Sequence, residues 1–312
     1  GCKYIMKTVT IFGGAGAKNT LLALKDLKGL KIYSIPSVFD SGGSTGEIRR
    51  TFKVYALGDL REHLLAASED KNIASALSIR IKTRGENHSL GNIFLLNMIK
   101  KYGENYLDVV HKVLAIPSHI KVMPIVSNVN YSGNLIVYSN SGKLVGEDSL
   151  DVNRRLKVRD VKLEKKAKIS EEAKKALLSS DYIMFGPGDL YSSLIPNLLV
   201  DGAHEVLTKS KAKKILITNI MNKVSETSGF KTSDFVDAFG RFGISFDKIV
   251  ANNRYLDEAK RVKAKYGYLH GFVKNDLSGE NVIESDLINE KTPYEHDPTK
   301  LKEVLKDIIF RG

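Results

Sequence analysis

The sequence predicts an α/β fold: one open, mostly parallel sheet with helices on both faces and a small antiparallel insert. Short apolar, β-rich runs alternate with stretches of helical period, the pattern of strands joined by crossover helices. Several of those runs end in Gly, Asn or Asp, so in a parallel sheet their ends would share one edge, where open α/β folds bind ligands. Between about residues 122 and 163 the texture changes to short alternating strands, which reads as a peripheral antiparallel insert.

The first strand is "TVTIFGG" (residues 8–14), followed by a helix with Leu21, Leu24 and Leu27 on one side. The second is "LKIYSIPSVF" (residues 30–39), which runs into "DSGGSTGEIRR". Helices then dominate residues 59–114, with apolar stripes such as Phe94, Leu95, Met98 and Ile99. In the insert, "LIVYSNSGKLVGE" reads as a hairpin turning at Asn140, Ser141 and Gly142. The α/β pattern resumes with "DYIMFGPGDLYSS", "KKILITNIMN" and "FDKIVANN". A final amphipathic helix is expected over about 298–310, with Asp297 as N-cap and Pro298 at its first position. No linker or repeat divides the chain, so residues 1–312 are read as a single domain.

At 312 residues the chain is long enough to bury a large core, and 42% hydrophobic with 27% charged residues is a globular composition. The 48 Lys+Arg against 36 Asp+Glu give a formal charge of +12, which favours anionic partners, although a generally basic proteome produces the same balance. Ten Lys/Arg against four Asp/Glu fall between residues 154 and 175, a bias that more often marks a solvated surface. Nucleic acid is not the expected partner, because that segment brings charge without an aromatic stacking platform. The single cysteine, Cys2, excludes an intrachain disulfide framework and a multi-cysteine zinc site. No signal peptide or apolar run of membrane-spanning length is seen, and Met6 is a candidate natural start, so a cytoplasmic protein without a membrane partner is expected.

Function concentrates at the strand ends. "IFGGAGAKNT" places Gly13, Gly14 and Gly16 between a strand and a helix, where backbone N–H groups can approach a phosphate. The stricter dinucleotide and phosphate-loop templates fail at Asn19 and after Lys18, and a plain tight strand-to-helix turn is the lesser alternative. In "DSGGSTGEIRR", Gly42 and Gly43 remove side-chain bulk, while Ser41 and Ser44 offer hydroxyls. Asp40 is placed to meet a ribose hydroxyl or a metal ion, and Arg49 or Arg50 to neutralise a phosphate. Capping of a helix by Ser44 with Glu47 accounts for part of this motif.

"ALGDLREHLLAAS" sets Asp59 at a helix start with Arg61 behind it, where an N-cap role competes with a ligand role. "ENHSLGNIFL" clusters His88 and Asn92 at another helix entrance. In "MFGPGDLYSSLIPNLLV", Gly186 and Gly188 bracket a proline before a helix whose N-terminus offers an anion site, with Asp189 as contact or N-cap and Tyr191 as stacking surface or core. Asn219 in "TNIM", the "SET" of residues 225–227 and Asn252 in "ANN" add polar groups at further strand ends.

Taken in order, these motifs resemble the superfamily that joins 2-phospho-L-lactate transferase with the gluconeogenesis-factor proteins, which bind nucleotide sugars. The resemblance runs from "FGGAGAKNTLLALK" through "GDLREHLLA", "HSLGNIFL" and "GPGDLYSSLIPNLLV" to "HDPTKL", and is nearer to the gluconeogenesis-factor branch. It implies a Rossmann-like sheet, a homodimer, and a nucleotide sugar or similar diphosphate nucleotide across the strand ends. It also implies a role in regulating carbon metabolism or cell-envelope synthesis. In the transferase branch it would imply metal-assisted transfer of a phosphorylated group, with Mg²⁺ at Asp40 or Asp59.

The chain departs from the family at Ala15 and Ala17, at Ser41 where a second acid is usual, at Leu57, and in "NKVSET". One acid fewer beside Asp40 weakens a Mg²⁺ site and favours binding over catalysis. On this reading Gly13 to Gly16 and Gly42 to Gly46 cradle phosphates, Arg49 and Arg61 neutralise them, and Asp40 and Asp59 contact ribose or metal. His88, Asn92, Asp189 and Tyr191 line the pocket of the second substituent.

Overall fold

A computed structural model describes residues 6–39, 43–82, 87–146, 157–256 and 269–311. The chain opens with β1 (Lys7–Gly13), a 3₁₀ turn (Ala15–Ala17), α1 (Lys18–Leu24) and β2 (Leu30–Pro36). Helices α2 (Gly43–Phe52), α3 (Gly58–Ala67) and α4 (Lys71–Ser78) follow, then a ribbon of β3 (Arg80–Lys82) and β4 (Asn87–Ser89). After α5 (Leu90–Tyr102) and α6 (Tyr106–Val113) comes β5 (Ile120–Val122).

Strands β6 (Leu135–Ser139), β7 (Gly142–Val145) and β8 (Val158–Leu163) form a separate antiparallel sheet in the order β7-β6-β8. Next are α7 (Glu171–Ser179), β9 (Tyr182–Phe185), a π-helical turn (Leu190–Leu194), α8 (Ile195–Leu198) and α9 (Ala203–Lys209). The remainder is β10 (Lys213–Ile217), β11 (Met221–Lys223), α10 (Thr232–Gly240), β12 (Lys248–Asn252), β13 (Leu269–Phe272), β14 (Val282–Ser285) and α11 (Pro298–Arg311).

The main sheet has the order β14-β12-β10-β9-β1-β2-β5, and all its pairs are parallel. The chain builds outward from β1 to β2 and β5, then returns to the other flank of β1 and builds outward again through β9, β10, β12 and β14. The sheet therefore reverses its strand order between β1 and β9. These two central strands are also the most enclosed: Val9 to Gly13 and all of β9 are buried, as a strand covered by helices on both faces requires.

Apolar pattern sets the layers. Phe12, Phe185, Phe239 and Phe246 pack by tilted or edge-to-face contacts with centroids 5.2 to 5.5 Å apart. Helix α11 buries Leu301, Leu305, Ile308 and Ile309 along one stripe and packs against α1. Asp297 Oδ1 accepts the N–H groups of Thr299 (2.8 Å) and Lys300 (3.2 Å), capping this helix with Pro298 at its first position. The hairpin at Asn140 to Gly142 forms, with Gly142 at φ +107°.

Two boundaries differ from the sequence expectation. Residues 120–122 pair in parallel with Ile32 to Ser34, so the antiparallel insert begins at Leu135 rather than near 122. Helix α3 starts at Gly58, which places Asp59 inside its first turn and Leu57 at the N-cap position. Among the described residues no helix is long and apolar enough to cross a membrane.

Candidate functional site

At the reversal point, the turns that leave β1 and β9 lie against each other. Gly186 has φ +87°, and a Cβ there would fall 2.7 Å from the Ile217 carbonyl oxygen. A Cβ on Gly188 would lie 3.0 Å from the Gly14 nitrogen, one on Gly14 2.6 Å from the Ser193 Cβ, and one on Gly16 3.2 Å from the Pro187 oxygen. The space beside these glycines is thus occupied by the chain itself. Their lack of side chains is accounted for by the interlocking of two turns, without calling on a ligand. Thr20 Oγ1 donates to the Gly186 carbonyl (3.0 Å), and Gly188 N–H donates to Asn219 Oδ1 (3.0 Å), pinning the second turn from both sides.

The helix N-terminus after that second turn, expected from sequence to hold an anion of the ligand, is filled from within. Glu226 Oε2 accepts Tyr191 N–H (2.8 Å) and Ser192 N–H (3.2 Å), while its Oε1 accepts the Ser192 hydroxyl (2.6 Å). Ser193 and Leu194 N–H groups donate to the Asp189 carbonyl, so each N–H from Tyr191 to Leu194 has an acceptor in the chain. Glu226 is fully buried, and burial pushes its carboxyl above the usual range, partly offset by the Lys223 ammonium 3.2 Å away. Lys223 also reaches Asp189 Oδ2 (2.9 Å), making the side-chain line Asp189, Lys223, Glu226. Asp189 makes no side-chain cap to its helix. Tyr191 is buried with its ring edge-on to Phe230, so it belongs to the core rather than to an open stacking surface.

On the β1 side, Asp59 is buried next to Gly14, and its Oδ2 accepts the Ser193 hydroxyl (3.3 Å). One helical turn on, the fully buried ring of His63 joins Ser34 Oγ at Nδ1 (2.6 Å) to the Gly14 carbonyl at Nε2 (2.8 Å). A carbonyl only accepts, so Nε2 carries the proton and, in the neutral ring, Nδ1 accepts from the serine. Burial pushes this imidazole down to about 4, so it is neutral at pH 7. The sequence reading missed His63. Its signal was the four-residue spacing from Asp59 on one helix, which puts both side chains on the same face.

The other candidates lie apart from these two turns or serve the fold. Arg61 donates to Asn92 Oδ1 (2.9 Å), and Asn92 Nδ2 donates to Thr45 Oγ1 (3.2 Å), tying α3, α5 and α2 together. Arg61 also pairs with Glu62, which takes Lys18 Nζ at 3.0 Å. Burial raises Glu62, but the two cations outweigh it and hold the carboxyl at about 2. Arg49 is buried and donates to the Gly133 carbonyl, and Asn252 is buried with Oδ1 accepting Leu287 N–H (3.1 Å); both join parts of the fold. His88 lies 3.6 Å from Glu47 on the β4 ribbon. Gly43 and Ser44 begin α2, so Ser44 sits within its first turn rather than at the N-cap. Asp40, Ser41 and Gly42 lie outside the described residues.

For Mg²⁺, Asp59 is the carboxylate beside the first turn, and among the described residues no three His, Cys, Asp or Glu side chains group to hold a metal. One carboxylate and a hydroxyl do not make a cage. An ion here would need Asp40 and the phosphate oxygens of a ligand to complete its coordination.

The chain matches the family described as 2-phospho-L-lactate transferase CofD over residues 8–309. A curated Thermotoga maritima relative is 31% identical over 318 residues, spanning 97% of this chain and 99% of its own. The Bacillus subtilis relative named gluconeogenesis factor is 30% identical over 315 residues, spanning 96% and 98%. A crystal structure of a member of the upf0052 family from Bacillus halodurans superposes with a TM-score of 0.85 at 30% identity, over 96% of this chain and 99% of that one. Such near end-to-end matches extend through both turns and the C-terminal helix, and they place this chain in the 2-phospho-L-lactate transferase CofD family, on its gluconeogenesis-factor branch.

Proposed function

We propose that the chain binds a nucleotide sugar or similar diphosphate nucleotide above the β1/β9 reversal point and, through that ligand, regulates carbon metabolism or cell-envelope synthesis. The observation that carries this reading is the meeting of two strand-end turns with Asp59, Ser193, Asp189 and Asn219 where the parallel sheet reverses. Open α/β sheets take nucleotides at that place, because the diverging loops leave a crevice at the carboxyl ends of the strands. The name carried by the Bacillus subtilis relative supports a regulatory role in carbon metabolism. Calorimetric titration with UDP-sugars, GDP and NAD tests the reading. Micromolar binding of one class is expected, and no binding of any at millimolar concentration would overturn it.

The family description favours a second reading, transfer of a phosphorylated group. It requires turnover that depends on Mg²⁺ and collapses in Asp40→Asn. In that case Asp59 and Ser193 would orient the ligand beside the first turn, and positioning with charge neutralisation would supply the rate.

A further inference from the structure

We propose that the chain has a second small-molecule site, at the sheet edge opposite the two turns, which takes a zwitterion with an apolar body: a free amino acid or a short peptide. This site does not depend on the nucleotide reading.

A cavity of about 560 Å³ opens at the amino ends of β1, β2 and β5, where Met6, Gly29, Leu30 and Ile120 line it. Cavities of this size hold small molecules. The two turns lie at the carboxyl ends of the strands, and the seven residues of β1, at about 3.3 Å each, put roughly 20 Å between the two places. Helices α1 and α3 both end at the cavity, through Lys25 and Ala67.

Part of the lining is committed to the fold. Lys25 Nζ donates to the carbonyls of Ala66 (3.0 Å) and Ser68 (3.4 Å), and so closes the end of α3. His119 Nε2 donates to the Lys25 carbonyl (3.0 Å), which does the same for α1. Leu30, Ala67 and Ile120 are buried and give the cavity an apolar floor.

Four charged residues of the lining have no such duty. Asp26, Lys28, Glu69 and Lys71 border the same cavity, yet among the described residues none of their side chains enters an ion pair or a hydrogen bond. Helix dipoles do not account for them either. Lys71 is the first residue of α4, the positive end of a helix, where a cation gains nothing. Asp26 and Glu69 each follow the C-cap of a helix, α1 and α3, at the negative ends where acids are equally misplaced. Three of the four charges thus stand where their own helices disfavour them, and a bound ligand supplies the partners that the helices do not.

The mixture of signs sets the class of ligand. A simple anion would meet Asp26, Glu69 and the negative ends of α1 and α3, while a simple cation would meet Lys25, Lys28 and Lys71. A molecule carrying both signs finds an opposite charge for each. Its ammonium, a donor only, suits the two carboxylates, and its carboxylate, an acceptor only, suits the lysines. Its apolar body then covers Leu30, Ala67 and Ile120.

Calorimetric titration of the full chain with L-leucine and L-leucyl-L-leucine tests the site. Each is compared with its N-acetylated form, which lacks the ammonium, and its C-terminal amide, which lacks the carboxylate. At least one zwitterion should bind with a Kd below about 1 mM, and its two blocked forms about tenfold more weakly. All four charged positions are exposed, so they can be exchanged in pairs. Asp26→Asn with Glu69→Gln should erase the preference over the acetylated form and keep that over the amide; Lys28→Gln with Lys71→Gln should do the reverse. A purely structural role would weaken every ligand alike. No binding of either zwitterion at about 10 mM, blocked forms that bind as tightly as the parent, or paired variants that keep both preferences would overturn the inference and leave the nucleotide reading untouched.

Discussion

Lowering the pH from 7 to 5 is expected to destabilise the fold by about 4 kcal/mol through two histidines, His63 and His296. Both rings are enclosed and held neutral, each pushed by burial down to about 4. An unfolded histidine titrates near 6.5. The unfolded chain therefore takes up protons first as the pH falls, so this stability is fully present above about 6.5 and is lost on the way down to about 4. Integrated over both proton equilibria, each ring accounts for about 2 kcal/mol between pH 7 and pH 5, and about 3 kcal/mol in full.

Glu226 acts in the opposite sense. Its carboxyl is raised, so the folded state gains a proton earlier and is favoured as the pH falls. The contribution of His63 is isolated by difference: urea unfolding followed by circular dichroism at pH 7, 6 and 5, on the wild-type chain and on His63→Gln. The variant should lose about half of the histidine-linked pH dependence, roughly 2 kcal/mol over that interval. Equal slopes for the two proteins would refute the argument, because they would mean that this ring is not held neutral between Ser34 and Gly14.

Gly188→Ala should cost about 1–3 kcal/mol, since its Cβ would meet the Gly14 backbone nitrogen at 3.0 Å and backbone cannot swing away; the shift in the urea midpoint reads it. Glu226→Ala leaves two buried N–H groups and the Ser192 hydroxyl without their acceptor and takes from Lys223 the buried carboxylate 3.2 Å from its ammonium, and a loss of about 3–5 kcal/mol is expected in the same assay. Tyr55→Phe removes one of two buried hydroxyls that bond each other and strands Tyr106, at about 1–3 kcal/mol. Adding Tyr106→Phe should recover most of that, and thermal melts of the single and double variants decide it. Arg254→Ala, by contrast, breaks exposed pairs with Asp286 and Glu290 and should change stability by no more than about 1 kcal/mol.

Much of the architecture was legible because it is local. A strand has period 2 and a helix 3.6, so "TVTIFGG", "LKIYSIP" and the stripe of Leu301, Leu305, Ile308 and Ile309 declare themselves within a few residues. The hairpin at Asn140 to Gly142 and the cap at Asp297 are likewise written in adjacent positions. The convergence of glycine-rich ends on one edge followed from parallel pairing alone.

What only the tertiary structure decided is which group answers which. Sequence marks the N–H groups after Gly188 as an anion site, but an acid more than thirty residues further on, Glu226, fills it. Arg49 is drawn to the carbonyl of Gly133, Tyr191 turns into the core against Phe230, and His63 clasps the turn that its own helix packs against. Glycines that read as room for a phosphate prove to be room for one turn to close on another. The physical reason is the same in each case: burying a polar group costs free energy unless a partner meets it, and the fold can supply that partner from anywhere in the chain.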